Sequence, residues 1–402
     1  MKRFKIFPSL MMLAMGMCML AVGVFCASPI SVNITGELSI LPHKIEVNSV
    51  NDYPTLEFYV TDSTAKTVSV QQNTSNKPTG DLVIPAMVSC NGVEYTVTSI
   101  AYSTSGTKLV SNLESTSKGN FSTVFALSPP GLDEEEPTGA FYSCTMLTSV
   151  IIPNTIKNID NLAFMSCGNL ASIDLPDGLT SIGEEAFRSC GNLTSIDLPD
   201  GLTSIGAYTF MSCTSLISID LPEGLISIAN FAFANCNALT AVDLPEGLTS
   251  LGSSVFLGCV NLTSVGLPSN LQTLSSSAFS SCTGLTSIDL PERLTSIGIS
   301  AFEGCTGLTT ITIPNNVVTI SKSAFSGCTG LTAVSIGTGV QSIGDKAFYN
   351  CTALTKLYCN AVVQPTLGGT NVFYNCAFTL YIPEESVDAY KNSDWGAYIT
   401  ES

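Results

Sequence analysis

Ten cysteines, Cys144, Cys167, Cys190, Cys213, Cys236, Cys259, Cys282, Cys305, Cys328 and Cys351, stand 23 residues apart without a gap. A phenylalanine precedes each by three positions, from Phe141 to Phe348, and a leucine follows each by three, from Leu147 to Leu354. An uninterrupted period of this length demands a stack of like units, each making the same contacts with the one before and the one after. It excludes a fold whose core is assembled from dissimilar elements.

One unit, Ala186 to Thr209, reads AFRSCGNLTSIDLPDGLTSIGAYT. Leu193, Ile196 and Leu198 point inward from an extended segment, and Ser195 and Asp197 alternate outward. Pro199 ends that strand because it lacks an N–H, and Asp200-Gly201 turns the chain. Leu202 and Ile205 form a second apolar segment, and Gly206 permits the next bend. Ala186, Phe187 and Cys190 fall at i, i+1 and i+4, which one helical turn would bring inward together. Such a unit cannot bury its apolar face alone. Stacked coils can, with each strand pairing parallel to its equivalent in the next coil. The expected fold is therefore a repeat solenoid: a right-handed leucine-rich-repeat superhelix of 23-residue coils, mostly parallel β with short helical turns. At one parallel-strand spacing per coil, ten to eleven coils reach roughly 50 Å.

The remaining segments divide around this array. Residues 1–27 read as a signal peptide, with Lys2, Arg3 and Lys5 before an apolar run from Ile6 to Phe25. An uncleaved N-terminal membrane anchor is the alternative, since that run is long enough to span. Residues 28–52 read as a linker, and 53–100 as a β-rich N-terminal cap and first coil. In the first coil Asp81-Leu82-Val83-Ile84-Pro85 and Tyr95 to Ile100 repeat the unit's pattern around an Asn91-Gly92 turn. Residues 101–139 are a Ser/Thr-rich acidic insertion carrying Asp133-Glu134-Glu135-Glu136, either a projecting loop or disordered filler. Repeats follow over 140–376 and a C-terminal cap over 377–402, where Trp395, the only tryptophan, should plug the end of the core.

Charge and chemistry narrow the function. The formal net charge is -17 with only 15 Lys and Arg, so nucleic acid is excluded as a partner, as is a membrane beyond a possible N-terminal anchor. The lone histidine, His43, precedes the repeats with no nucleophile placed beside it, and no HExxH, P-loop or GxSxG pattern occurs in its required setting. The chain reads as non-enzymatic, with no cofactor. The file of ten cysteines suits buried structural thiols; disulfides between adjacent coils and metal binding are the alternatives. Cys90 and Cys359 lie off the register and are candidates for a different role.

Outward positions carry the candidate site. Asp174, Asp197, Asp220, Asp243 and Asp289 occupy the same place on successive strands, beside Ser172, Ser195 and Ser218. A second acidic file, Asp177, Asp200, Glu223, Glu246 and Glu292, lies just past the strands. The files break at Gly266 and Ser269, and beyond Glu292 become Thr312, Asn315, Ser335 and Thr338. Such stripes could dock a basic protein surface or hold weakly bound Ca²⁺; equally, they could be copies of one acidic unit whose charges solvent screens.

The pattern AFxxCxxLTSIxLPxxLTSIG resembles the Treponema-type leucine-rich repeat of BspA-like bacterial surface proteins. Glu57 to Ile100 resemble the segment that often precedes those repeats, and YIPEESVDAYKNSDW, Tyr381 to Trp395, resembles their usual ending. The resemblance spans Tyr53 to Ile399. It implies a curved solenoid, a secreted or cell-surface location, and adhesion to an extracellular or host protein or another microbial surface protein. It brings no catalytic residues with it. The resulting expectation is a protein-binding surface on the concave parallel sheet. A structural spacer or surface-coat component without a specific ligand is the alternative.

Overall fold

The computed structural model describes residues 53, 55–72, 76–90, 93–101 and 139–399. The leader, His43 and most of the acidic insertion lie outside these residues.

The described residues from 80 onward form a parallel β-solenoid of 23-residue coils, each repeat coil adding one strand to a second row and most adding one to a first. The first row comes from the LTSIDL segment of each unit. Its strands run from Gly80–Val83 through Leu147–Ile151, Ser172–Asp174, Ala241–Asp243, Ser264–Gly266, Thr310–Ile313, Ala333–Ile336 and Lys356–Cys359 to Thr379–Tyr381. Every pairing in it is parallel and advances one coil, as in Thr312↔Ser335 and Ser335↔Tyr358. The second row comes from the LTSIG segment and consists of two-residue strands, from Asn158–Ile159 to Thr366–Leu367. The pairing between Gly80–Val83 and Leu147–Ile151 makes residues 80–100 the first coil across the insertion.

First-row strands reach four residues or more where the residue before the proline or its equivalent is buried and is isoleucine or, at Cys359, cysteine. Ile313 and Ile336 end four-residue strands, whereas Leu198 and Leu290, only partly buried, leave no strand in their coils. Branched side chains favour the extended backbone. In the coils of Asp197 and Asp220 the ladder shrinks to the single bridge between those two residues, where like charges also face each other.

The AFxxC corner brings Ala186, Phe187 and Cys190 inward as expected, but its backbone is not a helical turn. Consecutive i to i+3 hydrogen bonds close it, Cys190 N–H to Phe187 and Leu193 N–H to Cys190. Glu185 and Ser189 adopt positive φ, 57° and 60°, and so do their equivalents along the array. That alternation turns the N–H groups of Glu185, Phe187 and Ser189 toward the next coil, where Ala207, Thr209 and Met211 accept them at 2.9, 2.9 and 2.8 Å. A helix would have spent those donors within its own turn. Here they form a third ladder, which offsets the cost of left-handed backbone at non-glycine residues.

Inside the corner, eleven phenylalanines from Phe141 to Phe373 stack in one column. Ring centroids in the central pairs lie 5.5 and 5.6 Å apart with planes within 8°, an offset stack of the kind aromatic quadrupoles favour. The column is buried throughout, as are the leucine rows of Leu193 and Leu202 and the row of Ile196 and its equivalents, a single core shared between neighbouring coils, with most of the leucines before the prolines packed half-buried against it.

Both ends of the stack are closed over the core. At the start, Leu56–Asp62 and Thr67–Gln72 form an antiparallel hairpin joined to the second row at Val93–Ile100. Gln72 terminates the third ladder: its N–H donates to Ala140, its Nε2 to the Tyr142 carbonyl at 3.1 Å, and its Oε1 accepts the Cys144 thiol at 2.9 Å. At the far end, a 3-10 turn (Glu384–Ser386), a short helix (Val387–Lys391) and a second 3-10 turn (Asp394–Tyr398) cover the last coil. Trp395 is buried against Phe373 and Tyr390, and its Nε1 donates to Pro365 at 2.7 Å.

Candidate functional site

The first-row strands expose one long face, and every candidate residue lies on it. Asp174, Asp197, Asp220, Asp243 and Asp289 are exposed, as are Ser172, Ser195 and Ser218. Asp197 and Asp220 are direct register neighbours. Successive aspartates therefore repeat at about the parallel-strand spacing of ~4.8 Å. Gly266 is paired to Asp243 and interrupts the file before Asp289.

Among the described residues, hydroxyls from the next coil meet the acids only at Glu246 and, in the first coil, at Asp81. Glu246 accepts from the Ser269 hydroxyl at 2.7 Å and the Ser269 N–H at 3.0 Å, which lower its pKa. In the first coil Asp81 accepts from Ser149 and Thr148 at 2.7 and 3.0 Å, with the same effect. The threonines flanking the aspartates serve the backbone instead. Thr240 and Thr263 each hand a hydroxyl to the equivalent carbonyl one coil earlier, so that line of side chains is structural.

The ends of the aspartate file differ from its middle. Val83 and Ile151 open it, exposed apolar side chains at the same outward position. Tyr358 and Tyr381 close it; they are register partners, exposed, with rings stacked at 4.6 Å and 16°. Tyr358 and Tyr381 lie one and two further steps of 23 beyond Ser335, so the period itself carries the signal.

The cysteine file takes no part in this face. Each thiol from Cys167 onward donates to a phenylalanine carbonyl of the preceding coil, Cys213 to Phe187 and Cys236 to Phe210 both at 3.1 Å. All are free thiols, so the disulfide alternative is not realised. Burial pushes Cys213, Cys259 and Cys305 up to about 12. Off-register Cys359 is buried beside the Tyr390 hydroxyl at 3.2 Å, in the terminal core; the Cys90 side chain lies outside the description. Among the described residues no group of three or more His, Cys, Asp or Glu could hold a metal ion, and no helix is long and apolar enough to cross a membrane.

No curated protein matches significantly. Among solved structures the chain is similar to a leucine-rich cell surface protein from Faecalibacterium prausnitzii, at 24% identity over 80% of this chain and 95% of that one, with a TM-score of 0.41. It is also similar to a leucine-rich repeat protein of T. pallidum, at 24% identity over 62% and 86% of the chains and a TM-score of 0.38. A Bacteroides ovatus leucine-rich repeat protein matches at 23% identity over 81% and 98%, with a TM-score of 0.36. The family model for the BspA-type leucine-rich repeat region matches residues 135–263 and 249–380, more than half of the chain. With its 23-residue coils, phenylalanine column and inward cysteine file, this chain belongs to the BspA-type leucine-rich repeat family.

Proposed function

We propose that the chain is an exported, cell-surface or secreted binding protein that holds an extracellular protein through the acidic stripe from Asp174 to Asp289. The observation that carries this reading is the exposed aspartate file, repeated coil by coil on one face, with no Lys or Arg at its outward positions among the described residues. A preorganised linear array of like charge meets a basic protein surface without reordering itself, which lowers the entropic cost of binding. Export rests on residues 1–27 and surface display on the family resemblance; neither role needs a catalytic group. Binding of the full chain to immobilised extracellular-matrix proteins tests the reading. Affinity should fall with added salt, and Asp197→Asn with Asp220→Asn should weaken it about tenfold or more, mainly by slowing association. Binding indifferent to both, or none, would instead favour a spacer or coat component.

A further inference from the structure

We propose that the C-terminal end of the same face is a second binding site, for a carboxylated saccharide, built from Lys356, Tyr358, Tyr381, Ser335 and Asn360. Three observations meet there. The first is the pair of stacked, exposed tyrosines. Their centroid separation of 4.6 Å matches the rise of one coil, so the ring faces look along the stack. Tyr381 covers one face of Tyr358. The residue in register on the other side is Ser335, which carries no ring to cover the second face. An aromatic face, negative at its centre, receives the electropositive C–H groups of a sugar ring.

The second observation is charge. Lys356 is the one Lys or Arg at the outward positions of the first-row strands among the described residues. It stands two residues before Tyr358, on the same side of its strand, and is exposed. Its ammonium makes no ion pair or hydrogen bond with the described residues. Asp289, the last acid of the stripe, lies three coils away, about 14 Å at the parallel-strand spacing and beyond the ~8 Å screening length at physiological salt. Glu384 is the next acid along the chain and follows Pro383, past the end of the last strand. The long acidic face therefore ends in a single cation beside an aromatic platform, which fits a carboxylate on a ring rather than a basic peptide.

The third observation is the polar surround. Asn360 Nδ2 donates to the Ser335 hydroxyl at 3.4 Å, leaving that amide's oxygen and the hydroxyl's proton to a ligand. Neither tyrosine hydroxyl is committed within the described residues. Ring stacking on Tyr358, the carboxylate on Lys356, and sugar hydroxyls on Ser335, Asn360 and the tyrosine hydroxyls use the whole cluster. The site is separate from the aspartate stripe and stands without it.

Isothermal titration and saturation-transfer NMR on the full chain would test this, with 3′-sialyllactose and trigalacturonate as probes and lactose and galactotriose as neutral counterparts. At least one acidic probe should bind at submillimolar to millimolar concentration, about tenfold or more above its neutral counterpart. Tyr358→Ala, Lys356→Met and Ser335→Leu should each weaken it about tenfold, while Tyr358→Phe and Lys356→Arg stay within a few fold. Asp197→Asn with Asp220→Asn should leave it unchanged. Lys356, Tyr358, Asp197 and Asp220 are exposed and Ser335 is half-buried, so unaltered circular dichroism is expected throughout, with a small drop in melting only for Tyr358→Ala, which loses the stack with Tyr381. The proposal is overturned if neither acidic probe binds, if neutral probes bind as well, if the Tyr358 and Lys356 variants bind normally, or if only an arginine-rich peptide depends on Tyr358.

Discussion

Phe256 sits mid-column, fully buried, with ring centroids 5.6 Å from Phe233 and 5.5 Å from Phe279. Replacing it with alanine removes a whole ring from a site that rigid neighbours keep from collapsing, which costs about 3–5 kcal/mol. Within that loss, two aromatic pairs at roughly 0.5–1.5 kcal/mol each account for about 1–3 kcal/mol. Phe256→Leu keeps most of the volume and forfeits mainly the pairs, so about 1–2 kcal/mol is expected. In a stack whose stability is a sum of coil and interface terms, the alanine lesion also weakens coupling between the halves. Urea titrations followed by far-ultraviolet circular dichroism and by Trp395 fluorescence separate the effects, because the only tryptophan reports the C-terminal end alone. The native chain should show coincident transitions. Phe256→Ala should lose about 4 kcal/mol and pull the two probes apart. A loss under about 1 kcal/mol with probes still coincident would refute the column as the coupling element.

Three further outcomes follow from the ends and the thiol file. Burial pushes the folded thiols of Cys213, Cys259 and Cys305 up to about 12, so the folded state holds protons that the unfolded chain releases. Stability from them should be complete below pH 9 and fall as pH rises toward 12, by about 1.4 kcal/mol per pH unit per thiol; urea midpoints measured across that window check it, and Cys→Ala at these positions should flatten the fall. Gln72→Leu leaves the Cys144 thiol unpaired and strips a donor from Tyr142, and should cost about 1–3 kcal/mol, seen as faster amide exchange in the first coils with the C-terminal coils unaffected. Cys376 is only partly buried, whereas the thiols from Cys144 to Cys351 are buried, so iodoacetamide labelling mapped by peptide mass should reach Cys376 first.

The period of 23 and the identity of the inward side chains were legible in the sequence, because a coil that cannot bury itself must repeat the same apolar positions. Phe187, Cys190, Leu193 and Ile196 could therefore be placed in the core, and Asp197 on the surface, without coordinates. Trp395 could be placed at the end of the stack as well, as the only tryptophan, standing just past the last coil. The backbone of the AFxxC corner could not be read this way. A helical turn and an alternation of left- and right-handed residues at Glu185 and Ser189 put the same three side chains inward; only the hydrogen bonds to the next coil favour the second. Gln72 is likewise an ordinary strand residue until the Tyr142 carbonyl and Cys144 thiol, some seventy residues away in sequence, arrive beside it. Tyr358, Tyr381 and Lys356 each fall on the repeat, yet what they form depends on which ring face a neighbouring coil leaves uncovered. Periodicity dictates which side of the strand a residue occupies; the pairing of coils decides what stands next to it.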